Sequence, residues 1–276
     1  MFKALLKRIS SAACSLSLLV APALACAPTD FLTIDLPAAG EDPVIASLLA
    51  GYTGLSYSAA DSVLSDGQGN SVVYQGPTNR APDTILVQPT IGDQFRYLYP
   101  VTFDLEDRKT PWRDPGRVRN QDFMKMLFFP DKRSARKSLT KVRSVDGNAT
   151  FRVTAKHGVD CQLTAVLNAL GTDFPKIFDH IGGSFNWRNI SGTKRLSVHS
   201  FGAAVDVNSK IGGYWKWSGR PQGNAGEYRN QIPQKVVETF ERYGFIWGGK
   251  WHHFDGMHFE YRPELIIYAR LLARGS

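Results

Sequence analysis

The chain has 276 residues, of which 43% are hydrophobic, and a formal net charge of +8 at neutral pH. This length is enough for one large domain or two small ones, each with its own hydrophobic core. Three cysteines are too few for a disulfide-rich scaffold.

The first 25 residues have the pattern of a signal peptide. Basic residues at positions 3, 7 and 8 precede an apolar stretch from Ile9 to Val20, and Ala23-Leu24-Ala25 has the small-x-small form of a cleavage site. The apolar stretch is shorter than the roughly 20 residues that a membrane helix requires. We therefore predict cleavage after Ala25 and export to the periplasm or cell envelope. Loss of the three basic residues lowers the formal charge from +8 to +5.

Cleavage leaves Cys26 at the new N-terminus, where either of two modifications is possible. A lipid on this cysteine would anchor the protein to a membrane, whereas in an oxidising compartment Cys26 can form a disulfide with Cys161. The sequence leaves this choice open. Without the lipid we expect no membrane contact, and we expect a monomer.

Residues 26–105 are predicted to form a β-rich N-terminal region. Four runs rich in β-branched and aromatic residues are separated by Gly-, Pro- and Asp-containing loops, at residues 31–36, 71–74, 84–87 and 97–105. The region has no catalytic pattern. Whether it is an accessory module or an elaboration packed on the main domain stays open.

Residues 108–143 hold twelve Lys or Arg residues and three acids, a local net charge of +9. Such a run can bind an anionic polymer. Export argues against nucleic acid and favours a cell-wall polymer with carboxylates. An ordinary solvated face is the preferred interpretation, because most charge runs are just that.

The remaining chain, residues 106–276, predicts an α+β domain in which helices pack on an antiparallel sheet. Helices are indicated by apolar periodicity, by proline in the first turn and by glycine after the end. They are predicted at residues 121–129, 160–170, 173–180, 233–243 and 263–274.

Two clusters in this domain carry the candidate chemistry, Ser197–Asp206 and Trp251–Glu260. Together they offer two imidazoles and a carboxylate for a tetrahedral zinc ion, and a spare acid close by. A buried carboxylate such as Asp206 must be paired or bind a metal. His252 and His253 are rival ligands.

The two clusters resemble a known family. The pattern Ser-x-His-x-x-Gly-x-Ala-x-Asp at residues 197–206, followed by Asp-x-x-His at 255–258, is similar to the signature of zinc D-alanyl-D-alanine carboxypeptidases and L-alanyl-D-glutamate endopeptidases. These enzymes cut peptidoglycan stem peptides and share their fold with the hedgehog signalling domain. The resemblance runs from about residue 114 to the end and does not cover residues 26–105.

The resemblance implies a role for each key residue. His199, Asp206 and His258 would hold one Zn²⁺, and Asp255 would be the base that activates water. Some relatives have Glu where this chain has Asp255. An upstream arginine, best matched by Arg188, would stabilise the oxyanion.

Four further residues are assigned by position. Ser197 and Arg195 are predicted substrate contacts, with a structural ion pair as the alternative for Arg195. His253 is predicted to face substrate, with packing as the alternative. Glu260 shares a strand face with His258 and is predicted to be an orienting acid.

The sequence thus predicts an exported zinc metallopeptidase that hydrolyses peptidoglycan stem peptides. Either a terminal D-alanine or the bond between L-alanine and D-glutamate would be cut, and no nucleic acid would be bound. The alternative is a non-catalytic, zinc-containing module that binds the cell wall. The acid at position 255 favours the enzyme.

Overall fold

The computed structural model describes residues 26–38 and 42–275. The predicted signal peptide therefore lies outside the described residues. Within the described ranges, every helix is too short or too polar to cross a membrane.

The structure is an α+β fold, which confirms the predicted class. The helices are α1 (Pro43–Gly51), α2 (Pro82–Val87), α3 (Gln121–Leu127), α4 (Lys132–Lys137), α5 (Val159–Leu170), α6 (Pro175–Phe178), α7 (Gln234–Arg242) and α8 (Pro263–Gly275). The strands are β1 (Ser56–Ser58), β2 (Val63–Ser65), β3 (Ser71–Val73), β4 (Leu139–Arg143), β5 (Thr150–Thr154), β6 (Ile181–Gly183), β7 (Ala204–Asn208), β8 (Phe245–Trp247) and β9 (His258–Tyr261).

The central sheet has four antiparallel strands in the order β6-β7-β9-β8. In the register of β7 and β9, Asp206 lies directly opposite His258. Side chains directly opposite each other share one face, with Cβ atoms about 5 Å apart. The sheet therefore brings together two residues that are 52 positions apart in the chain.

The opposite face of the sheet packs on helices. Val205 and Phe259 are fully buried there, and the ring of Phe259 stacks on Phe240 of α7 with centroids 3.9 Å apart. The amphipathic pattern that predicts α5, α7 and α8 places their apolar residues in this same core. The core thus fixes the strands that carry the site.

The N-terminal region contains the three-stranded sheet β1-β2-β3, but three of the four strands predicted there are wrong. Residues 84–87 lie in α2, because Pro82 at its first turn favours a helix. Residues 31–36 and 97–105 form turns and irregular chain, and only 71–73 of the four predicted runs form a strand. Strand propensity is a weak guide where packing decides the backbone.

The N-terminal region packs on the main domain and shares its core. The hydroxyl of Tyr52 donates a 2.5 Å hydrogen bond to Glu264 of α8, and the hydroxyl of Tyr99 donates one to Glu241 of α7. Both tyrosines and both acids are buried. The region is therefore an elaboration of the main domain.

Cys26 and Cys161 form a disulfide, with their Cα atoms 5.6 Å apart. The bond ties the start of the described chain to α5. Because it occupies the Cys26 sulfur, this disulfide and a lipid on Cys26 exclude each other.

Candidate metal centre

His199 lies in a 3₁₀ turn, Val198–Phe201, that is held at both ends. The hydroxyl of Ser197 accepts a hydrogen bond from the His199 amide at the start. At the end, Gly202 has a φ of +68°, and a Cβ there would lie 2.9 Å from the Thr154 amide nitrogen. Only glycine fits such a position. The turn directs the His199 ring towards the sheet.

The structure brings the three predicted ligands together. The Nε2 of His199 lies 3.2 Å from the Nδ1 of His258 and 3.2 Å from the Oδ1 of Asp206. The Nδ1 of His258 lies 2.9 Å from the same carboxylate oxygen. One ligand atom from each residue lies within 4.8 Å of the others.

Hydrogen bonds on the outer side of each ring decide which nitrogen faces the centre as an acceptor. The Nδ1 of His199 donates to the Ser184 carbonyl at 2.7 Å, and the Nε2 of His258 donates to Glu260 at 2.9 Å. In neutral rings the lone pairs are then on the two inner nitrogens. The two inner ring nitrogens and the Asp206 oxygen converge, an arrangement that could hold a metal ion.

Charge in the site favours a cation. Burial lowers the pKa of His258, but Asp206 and Glu260 outweigh it and raise that pKa to about 10. Burial likewise raises the pKa of Asp206, but His199 and His258 hold it well below its ordinary value. The Asp206 carboxylate is therefore ionised, and the negative charges that stabilise a proton on His258 would likewise stabilise a metal ion at its inner nitrogen.

Glu260 is held in turn by two arginines. Its carboxylate accepts hydrogen bonds from Arg119, one of them at 3.0 Å, and from Arg262 at 3.4 Å. Glu260 and Arg262 are both fully buried. Burial raises the pKa of Glu260, yet Arg119 and His258 bring it well below its ordinary value. Its negative charge orients the His258 ring, as outer carboxylates do for histidine ligands.

Asp255 lies beside the three ligands in a tight turn. Its amide donates to the Gly248 carbonyl at 3.0 Å, and its carbonyl accepts from the His258 amide at 3.1 Å. Its Oδ1 is enclosed and has no hydrogen-bond partner among the described residues. Burial raises the pKa of Asp255 to about 6. The positive charge of His258 opposes this shift, and the negative charge of Asp206 favours it. An enclosed, unpartnered carboxylate oxygen is suited to accept a proton.

The backbone of β6 leaves room for Asp206. A Cβ on Gly182 would lie 2.7 Å from the Asp206 Cβ, so only glycine allows β6 to approach β7 here.

A cleft of about 300 Å³ opens over the three ligands and Asp255. Of the other predicted site residues, Arg188, Arg195, Ser197 and His253 line it as well. Arg188 is exposed, and its side chain makes one weak hydrogen bond among the described residues, to the Asn189 carbonyl at 3.4 Å. It has no ion pair among the residues that the structure describes.

Both rival histidines are separate from the three-ligand group. The Nδ1 of His253 donates to Asp114 at 2.6 Å, and its Nε2 accepts from the Gly223 amide at 2.8 Å. The ring nitrogens of His252 contact backbone carbonyls of Arg108 and Gly223. Burial lowers the pKa of His253 more than Asp114 raises it, so the ring is neutral. With both ring nitrogens engaged, His253 can offer substrate only its ring face.

Sequence reasoning missed the arginines of the PGRVR segment, Arg117 and Arg119. They belong to the basic run that was interpreted as a solvated face, yet both line the cleft. Arg117 pairs with Asp114 at 3.1 Å, and Arg119 pairs with Glu260. They are far from the two ligand clusters in the sequence, so no local pattern connects them to the site, although the family resemblance begins at this segment.

Residues 191–261 match the family described as D-alanyl-D-alanine carboxypeptidase. The resemblance to this family is confirmed. The matched segment contains the three candidate ligands and Asp255, and Arg188 lies just before it. Searches of curated proteins and of solved structures gave no match.

Proposed function

We propose that the chain is an exported zinc metallopeptidase that hydrolyses peptidoglycan stem peptides. One observation carries this proposal: a ring nitrogen from each of His199 and His258 and the Asp206 oxygen converge beside the Oδ1 of Asp255, which has no hydrogen-bond partner among the described residues. The family match covers all four residues. We further propose that the fold is of the hedgehog and D-alanyl-D-alanine peptidase type.

The ligand chemistry supports zinc. Two imidazole nitrogens and one carboxylate oxygen are ligands that Zn²⁺ takes in hydrolases, with a fourth position left open. When bound, zinc would polarise the substrate carbonyl and lower the pKa of a water molecule towards about 7.

Asp255 has the position and environment of the general base. Its enclosed oxygen lies next to the ligand group, and its raised pKa of about 6 still leaves it mostly ionised at neutral pH. It would accept a proton from the attacking water. The same carboxyl group would then deliver this proton to the leaving amine.

Arg188 is the proposed oxyanion donor. It lines the cleft without an ion pair among the described residues, so its guanidinium is available to substrate. Such a donor typically contributes about 3 to 4 kcal/mol to the transition state. Tyr214 and Trp217 form part of the cleft wall beside it.

Export is proposed from the signal-like N-terminus and is supported by the Cys26–Cys161 disulfide. Disulfides persist mainly in oxidising compartments such as the periplasm. We propose a soluble, disulfide-bonded form in the cell envelope with no lipid on Cys26. Monomeric action stays a prediction that size-exclusion chromatography can test.

The deciding experiment is digestion of purified muropeptides by the zinc-loaded protein, read by mass spectrometry. Loss of one alanine residue identifies the carboxypeptidase, and release of the peptide beginning with D-glutamate identifies the endopeptidase. Asp255→Asn should abolish product and Glu227→Gln, an exposed control, should not. Zinc and muropeptide binding without any product would instead establish the non-catalytic module.

A further inference from the structure

A second cavity, of about 710 Å³, lies next to the cleft and shares two of its residues, Arg119 and Arg195. One wall comes from the N-terminal region, at Val87 and Pro89. The opposite wall is the segment that leads into the metal ligands. The cavity is therefore a side chamber of the candidate active site.

The chamber wall is held by hydrogen bonds between distant segments. The side-chain amide of Asn120 donates to the Pro89 carbonyl at 2.8 Å. The side-chain carbonyl of Gln121 accepts from the Leu196 amide, also at 2.8 Å. These bonds join the N-terminal region, α3 and the segment before His199. The chamber is thus a built feature of the fold.

The guanidinium of Arg195 has no polar partner among the residues that the structure describes. Its Nη1 is enclosed, and its guanidinium makes no hydrogen bond or ion pair to any residue in the described ranges. Burying a charged donor without a partner is unfavourable. Burial and the nearby Arg119 and Arg117 charges lower the pKa of Arg195 to about 10.

The neighbouring arginines are already neutralised. Arg117 pairs with Asp114, and Arg119 pairs with Glu260. The cluster therefore holds three guanidinium groups and two carboxylates. A third carboxylate is lacking at Arg195.

The lining of the side chamber likewise carries an excess of positive charge. It includes Arg119, Lys194 and Arg195 and contains no acid. Guanidinium groups bind carboxylates through two parallel hydrogen bonds. The chamber is thus suited to an anion that arrives with the ligand.

We propose that Arg195 binds a substrate carboxylate in this side chamber while the scissile bond lies over the metal ligands. The inference rests on the proposed function, because the carboxylate is taken to belong to the stem peptide. Stem peptides carry two sources of this chemistry, the C-terminal carboxylate and a side-chain or branch carboxylate. One guanidinium can bind either.

Binding measurements separate this subsite from catalysis. Calorimetry is done on the mature, zinc-loaded chain carrying Asp255→Asn, so that peptide is not consumed. Three stem peptides are compared: the free acid, the C-terminal amide and a form amidated on its internal carboxylate. Adding Arg195→Gln should weaken binding of the free-acid peptide by about tenfold or more, because one charge-assisted contact is lost. The substitution should not change the affinity for the amidated peptide that lacks the recognised carboxylate.

The matched control is Arg143→Gln, an exposed arginine at the end of β4. It should not change any of the three affinities, and Arg195→Lys should restore part of the free-acid affinity. Equal weakening of all three peptides by Arg195→Gln would overturn the proposal, as would no weakening of any. Competition by inorganic phosphate as strong as by the peptide would also overturn it, in favour of a general anion site.

The outcomes distinguish the subsite from the function. Arg195-dependent binding without hydrolysis by the chain with native Asp255 contradicts the proposed function and leaves the subsite standing. Hydrolysis with affinities that do not depend on Arg195 contradicts the subsite alone.

Discussion

The Nε2 of His258 donates a 2.9 Å hydrogen bond to Glu260, two residues further along β9. Alternate residues of a strand share a face, so the strand itself sets this contact. The same carboxylate is held by Arg119 and Arg262. The orientation of a candidate metal ligand is therefore linked to a buried network that reaches α8.

Replacing Glu260 with Gln should weaken metal binding by about 10- to 100-fold, because the His258 ring loses its charged partner. It should also destabilise the fold by about 3 to 5 kcal/mol, since Arg262 is fully buried. Metal affinity is measured by chelator competition and stability by urea unfolding. Glu227→Gln removes an exposed carboxylate and should change neither. A folded Glu260→Gln protein with native metal affinity would contradict the orienting role.

Three substitutions should each remove the metal, namely His199→Ala, Asp206→Ala and His258→Ala, because each deletes one of the converging ligand atoms. His252→Ala should keep one metal per chain, since both of its ring nitrogens contact backbone carbonyls. Elemental analysis after dialysis provides the measurement. Full metal content in any of the first three proteins would refute the ligand set.

Asp114→Asn should make the loop around Gly223 more mobile, because His253 binds the Gly223 amide. Asp114 accepts from both the amide and the Nδ1 of His253, and the other ring nitrogen accepts from Gly223. Losing the carboxylate charge should cost about 1 to 3 kcal/mol. Hydrogen exchange at the Gly223 amide should become faster, whereas the Gly256 amide, bound to Gly213, should keep its rate. Equal acceleration of both amides would indicate general unfolding instead.

Asp93 should contribute stability that depends on pH. Burial raises its pKa, but hydrogen bonds from Thr90, Thr78 and Arg80 outweigh this and bring the pKa below its ordinary value of 3.8. In acid the unfolded chain therefore binds the proton more readily than the native one, so stability falls as the pH drops below about 4.

Asp93→Asn tests this dependence. The variant should be less stable than the native protein by about 2 kcal/mol at neutral pH. The difference should shrink near pH 3, below the ordinary pKa of 3.8, where the carboxylate of the unfolded chain has largely taken up its proton. Urea unfolding at both pH values measures it. A difference that stays constant would show that the effect is not due to charge.

Cys161→Ser should lower stability by about 2 to 5 kcal/mol, because the disulfide closes a loop that spans 135 positions. Thermal unfolding of the native protein should shift down on adding reductant, and the variant should not respond. An intact mass of the exported protein lower by two hydrogen atoms would confirm the bond. A lipid mass on Cys26 would contradict it.

Local sequence determined much of the metal site. Ser197, Gly202 and Asp206 lie within ten residues, so a single turn and strand set their relation to His199. Asp255 and His258 are likewise separated by one tight turn. The helices α5, α7 and α8 follow from apolar periodicity, because that period records which face is buried.

The tertiary structure alone decided what surrounds the site. The strand pairing of β7 with β9 brings Asp206 opposite His258, and the fold returns Arg119 to Glu260 over 141 positions. Residues 97–105, predicted as a strand, form turns and irregular chain, and Tyr99 there packs on α7, a contact that local β propensity does not predict. A contact between two distant segments produces no periodic sequence pattern in either segment. For that reason the motif predicted the ligands, and only the folded chain disclosed the arginine cluster and the side chamber.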